Sequence, residues 1–141
     1  MDNFLTPVLA LIIWSLIIWL VMYARRIPAM TKAGISPDSA QSPDGDWKSK
    51  LPEQTQWAAH NYNHLMEQPT IFYALMFYMS LTGSATGDSL ALTLAWSYVA
   101  LRVFHSLVQI SANKVMLRFG LFSLSTIILI VLAVKAVLHL L

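Results

Sequence analysis

Cysteine is absent from the 141 residues. That excludes disulfides, thiolate metal sites and a thiol nucleophile carried by the chain itself. Charge is scarce as well: 11% of residues are charged against 57% hydrophobic, with a mean hydropathy of +0.59. A soluble domain of this size needs far more charge on its surface. The net charge is only +2, and the basic residues gather at the edges of apolar runs. They read as topology signals rather than as a nucleic-acid patch. No phosphate-binding glycine loop and no Gly-x-Ser-x-Gly elbow occurs. Met1-Asp2-Asn3 lacks the basic start and small-residue cleavage site of a secretory signal, so the first apolar segment reads as a retained helix.

What is present is a series of long apolar runs. Phe4 to Tyr23 carries no charge, and about 20 such residues cross a bilayer. Thr6-Pro7 suits a helix start, with Thr as cap and Pro in the first turn. Residues 24–52 read as a loop, because Pro28, Gly34, Pro37, Pro43, Gly45 and Pro52 break a continuous helix. A second helix is expected over about 53–82, with its apolar span from Leu65 to Leu81. Pro69 should kink it and free the carbonyl of Leu65, although membrane helices also tolerate proline without consequence. The third helix is expected over about 89–111, capped by Asp88 or Ser89, and the fourth over about 118–141, with Lys135 snorkelling outward. The whole of 1–141 reads as one all-α membrane domain, a four-transmembrane-helix up-down bundle.

Loop charge orients the bundle. Arg25, Arg26, Lys32, Lys48 and Lys50 lie in the first loop, Lys114 and Arg118 in the third, and none in the second loop or the N-terminal tail. By the positive-inside rule the first and third loops, 24–52 included, are cytoplasmic. Both termini then lie on the non-cytoplasmic side.

Two polar stripes interrupt the apolar helices. Tyr98, Arg102, His105, Gln109 and Asn113 share one face of the third helix. His60, Asn63 or His64, and Glu67 share one face of the second. Within lipid such stripes turn toward protein or trapped water. Glu67 and Arg102 fall roughly 22 and 20 Å from the turn joining their helices, counted at 1.5 Å per residue. A Glu67–Arg102 ion pair is therefore expected, with His105 one turn nearer the cytoplasm beside Asn63 and His64. Such a pair fixes helix register or belongs to a polar pocket. Arg118 adds a full charge to the partial positive charge of a helix N-terminus, which suits an anion or thiolate or a plain topology anchor. His60 and His64 have helical metal-pair spacing, but a third ligand is wanting and no metal is expected.

The run Asn61-Tyr-Asn-His-Leu-Met-Glu67-Gln-Pro69-Thr-Ile-Phe72-Tyr73 resembles the second-helix signature of the MAPEG family (membrane-associated proteins in eicosanoid and glutathione metabolism). Arg102-Val-Phe-His105 resembles the family's third-helix Arg-x-x-His. Arg118 falls where the family carries another arginine, and length and helix plan resemble it throughout, as in a bacterial member. The resemblance implies a homotrimer that holds glutathione between subunits near the cytoplasmic side. It implies that an arginine near the fourth helix stabilises the glutathione thiolate, which attacks a lipophilic electrophile or reduces a peroxide. Arg118 would take that catalytic role, and His60, Asn63, His64, Glu67, Arg102, His105 and Gln109 would bind the cofactor. The chain departs from the family pattern at several positions. His60 and Asn63 stand where an arginine is usual, His64 where Asn is, and Gln109 where a tyrosine is. Phe119 and Phe122 replace residues that are often polar.

Two functions follow. One is a glutathione-dependent transferase or peroxidase acting on a lipophilic small molecule from the bilayer, in a bacterial inner (cytoplasmic) membrane. The other is a non-catalytic lipid- or quinone-binding protein, or an accessory subunit of a membrane complex. Transport is disfavoured, because nothing polar continues the second-helix stripe from Phe72 to Met79.

Overall fold

A computed structural model describes residues 3–42 and 45–141. The readings of Met1 and Asp2 as the tail and of Pro43 as a breaker fall outside them. Among the described residues five α-helical segments make four helices: α1 (Thr6–Lys32), α2 (Glu53–Met66), α3 (Gln68–Leu81), α4 (Ser89–Ser111) and α5 (Val115–Leu138). The second helix is the broken pair α2–α3. Among the described residues there is no strand. Among the described residues three segments are long and apolar enough to cross a membrane: Asn3–Lys32, Ser89–Ser111 and Val115–Leu138.

The packing is that of a bundle without a polar coat. Leu11 and Ile18 of α1, Phe72, Met76 and Met79 of α3, Ala91, Ala95 and Tyr98 of α4, and Leu132 of α5 meet inside. Ala91 and Ala95 are fully buried small residues, which let helix backbones approach closely where van der Waals contact must supply the association. Outward, Leu9, Leu16 and Leu20 of α1 and Ile127, Ile130 and Val137 of α5 are exposed. Contiguous apolar exposure on this scale belongs against lipid or another apolar surface.

Three boundaries differ from the expected ones. The first helix does not stop at residue 23 but runs to Lys32 with Pro28 inside it. A proline costs one backbone hydrogen bond. Here Arg25 ties the stretch down, donating from Nη1 to the carbonyls of Ile110 at 2.8 Å and Gln54 at 3.2 Å. Thr6 is not a cap, because its hydroxyl donates back to the carbonyl of Asn3 instead. At the fourth helix, α5 starts at Val115 rather than 118. Asn113 takes a left-handed φ of 48°, which asparagine tolerates. The chain therefore reverses early and returns α5 along α4.

The third difference is the largest. The expected continuous helix over 53–82 breaks at Glu67, whose backbone sits at φ −88°, ψ −100°. Pro69 has no amide to give the carbonyl of Leu65, and its ring would crowd that carbonyl in a continuous helix. The Thr70 hydroxyl donates to the Glu67 carbonyl at 2.6 Å and stabilises the new turn.

At the opposite end Asp88 caps α4, accepting from the Ala91 amide at 2.9 Å. Lys135 reaches outward to the turn before α4. It pairs with Asp88 at 2.8 Å and ties the end of α5 to the start of α4. The Lys135 ammonium, and after it the Ala91 amide, hold the Asp88 carboxyl below the usual carboxylate range.

Candidate functional site

The turn at residues 112–114 builds one wall of the site. Arg118 lies in the first turn of α5, and its Nη1 donates to Oδ1 of Asn113 at 2.6 Å. The left-handed residue that reverses the chain thus also aims the arginine. One helical turn on, Phe122 points the same way. From α4, His105 is buried and 3% exposed. From α2, His64 is half-buried. The two imidazole centroids stand 4.8 Å apart, with the Phe122 ring 5.2 Å from His64 and 6.5 Å from His105. His64, His105, Val115, Arg118, Phe119 and Phe122 line a cavity of about 250 Å³.

Arg102 sits behind this cavity. It is 1% exposed, and its guanidinium carbon lies 4.9 Å over the Phe122 ring and 5.2 Å over that of Tyr98. Cation–π contacts of this kind are favourable when desolvated. Its Nε donates to the Tyr98 hydroxyl at 3.2 Å. That hydroxyl donates in turn to Oε1 of Gln68 at 3.4 Å, and Gln68 Nε2 donates to Thr126 at 2.8 Å. The two terminal nitrogens of Arg102 and the Nε of Arg118 have no acceptor among the described residues. A buried cation without a counter-charge is costly.

The expected Glu67–Arg102 ion pair does not form. The described residues hold one ion pair, Asp88–Lys135, and Glu67 is exposed. The break at Glu67 is the reason. A continuous helix would carry Glu67 to the depth of Arg102, but the break before Pro69 leaves Glu67 exposed and puts Gln68 beside Tyr98.

The remaining sequence candidates separate. His60 and Asn63 are exposed on the outer side of α2. Gln109 is 3% exposed, and its Oε1 accepts from Nδ2 of the buried Asn61 at 2.8 Å. It clamps α2 to α4 instead of facing the cavity. The structure therefore gathers His64, His105 and Arg118, with Arg102 adjoining through Phe122. It leaves His60, Asn63, Glu67 and Gln109 apart from them. Gln68 and Thr126 were missed. The signal for Gln68 is a polar residue at the head of an apolar run, masked by the charged Glu67 beside it.

Compared with known proteins, residues 4–138 match the model of the MAPEG family. No curated protein matches the chain, and no solved structure does.

Proposed function

Because the chain belongs to the MAPEG family, whose members are generally glutathione-associated, we propose that it is a glutathione-dependent transferase or peroxidase acting on lipophilic substrates. The observation that carries this reading is the excess of unmatched positive charge around one cavity. Arg118 and the buried Arg102 both keep N–H groups with no acceptor among the described residues. Buried polar groups nearly always find partners, so a donor set of this kind suits an anionic ligand.

Glutathione fits these donors, since it brings two carboxylates and an ionisable thiol. When bound it supplies a nucleophilic sulfur that the cysteine-free chain lacks. Arg118 would hold that sulfur as the thiolate. It stands in the first turn of α5, where the helix N-terminus adds partial positive charge. Arg102 is the natural carboxylate donor, because a guanidinium fork matches a carboxylate in two parallel bonds. Val115, Phe119 and Phe122 would give the apolar wall against which a substrate from the bilayer rests and from which water is excluded. MAPEG proteins generally form oligomers in membranes. A homotrimer in a bacterial inner membrane would let a neighbouring subunit complete the open side of the cavity.

A second reading has its own observation. An apolar groove of about 550 Å³ runs between α1 and α4, lined by Trp14, Trp96, Val103 and Phe104 among others. A lipid- or quinone-binding protein would use such a groove and no thiol.

Calorimetry of glutathione against the detergent-purified protein separates the two. Saturable binding, weakened in Arg102→Ala and Arg118→Ala, is the expected result. No heat of binding at millimolar glutathione would reject the thiol reading in favour of the lipid one.

A further inference from the structure

The cavity holds more than cations. Two imidazoles from different helices, His64 on α2 and His105 on α4, meet with centroids 4.8 Å apart and a tilt of 46°. Both line the same cavity as Arg118. Anion binding does not need them, because a neutral imidazole adds little attraction beside two guanidiniums. A metal does not account for them either, since no third His, Cys, Asp or Glu joins them among the described residues.

A thiol bound here has one need the arginines cannot meet. A free thiol titrates near pH 8.5, so at neutral pH only a few per cent is thiolate. Arg118 stabilises the thiolate once formed but cannot accept the proton. An ordinary imidazole titrates near 6.5 and is mostly neutral at cellular pH, ready to accept. His105 is sealed inside the bundle, whereas His64 is half-buried and reaches the cavity rim. The more open ring can take the proton from the ligand and keep it as an imidazolium beside the thiolate, which stabilises that charge.

We infer that His64 is the proton acceptor for the thiol bound beside Arg118, with His105 packed against it as the residue that fixes its ring. This rests on the glutathione reading above. In the step the S–H bond breaks, its electron pair stays on sulfur, and the proton goes to a ring nitrogen of His64. The charged and titratable groups around His64 are Arg102 and His105 on α4, Arg118 on α5, and Glu67 at the end of its own helix. Glu67, exposed one turn further along the chain and outside the cavity lining, adds only a more distant negative charge.

The test counts protons as well as turnover. Glutathione is titrated into the full-length protein at about pH 7.5, where an ordinary imidazole starts neutral, in two buffers of different ionisation enthalpy. The ultraviolet absorbance of the thiolate is read in parallel. The wild type should form thiolate while releasing clearly less than one proton for each. In His64→Asn and His64→Gln, which keep a hydrogen-bonding side chain but cannot titrate, release should rise to one proton per thiolate. The reaction of bound thiol with chlorodinitrobenzene should slow roughly 10²-fold, the low end for a lost general base. His105→Gln should leave the proton count nearer the wild type and slow the reaction less. Equal proton release and equal rates in wild type and both His64 variants, with glutathione still bound, would overturn the inference while leaving the glutathione reading intact. Absence of binding heat in the wild type would overturn both.

Discussion

Lys135 and Arg102 both lie within the helices of this bundle, and their surroundings are opposite. Lys135, at the end of the bundle where α4 begins, has an acid waiting: Asp88 meets it at 2.8 Å and caps α4 with its other oxygen. Arg102, toward the other end, has a phenol, a phenyl face and two amino groups with no acceptor among the described residues. The first is a closed structural clasp whose charges cancel locally. The second holds positive charge against an apolar background, an arrangement that a fold selected for stability alone would replace with packed hydrophobes. One end is closed by a matched ion pair, and the other keeps unmatched guanidinium N–H groups.

The contrast breaks most sharply at Arg102. Arg102→Met should cost glutathione affinity about 10- to 100-fold, the loss expected for a charge-assisted hydrogen bond of about 1.5–3 kcal/mol. Thermal stability in detergent should stay level or rise, because an unpaired buried charge is removed. A clear fall in melting temperature would mark Arg102 as a structural partner and erase the distinction between the two ends.

Asp88→Ala should do the reverse. Loss of the cap costs about 1 kcal/mol and loss of a half-exposed ion pair at most about 1 more, read as a lower melting temperature. Glutathione affinity should not change, and calorimetry on the same sample checks it. Tyr98→Phe removes one charge-assisted hydrogen bond from the Arg102 guanidinium, long at 3.2 Å and so worth about 1.5 kcal/mol, the low end for such bonds. It should weaken glutathione binding less than Arg102→Met does, by a shift of the bound guanidinium rather than its loss.

The smallest effect is in pH. Asp88 titrates below the usual carboxylate range because of Lys135 and the Ala91 amide. Its contribution is therefore complete above the usual carboxylate value of about 4 and is lost as pH falls through the lower, folded-state value. Melting temperature measured downward from pH 5 should decline less steeply in Asp88→Asn than in the wild type. An identical slope in both would remove Asp88 from the clasp.

The bundle itself was readable without coordinates. Uncharged runs of sufficient length admit little besides membrane helices, and the steps of three and four between Tyr98, Arg102, His105 and Gln109 put them on one face whatever surrounds it. The inward turn of Arg102 and His105 follows from the cost of lipid exposure. Gln109 shares that face but is taken by Asn61, a residue of another helix, and no spacing along α4 could disclose it. The Glu67–Arg102 pairing failed for a local reason with a distant effect: one proline moved the register by a residue and exchanged Glu67 for Gln68.

The sequence by itself determined the four-helix all-α membrane fold, its family and the polar stripes, because hydrophobic length and helical period are properties of the chain alone. Only the tertiary structure decided which polar residues meet. Contact between His64, His105, Arg118 and Phe122 depends on where α2 breaks, where Asn113 turns the chain and how α4 and α5 lie together. Those are set by packing between helices, where a shift of one residue, about 1.5 Å and 100°, carries a side chain from the cavity to the surface.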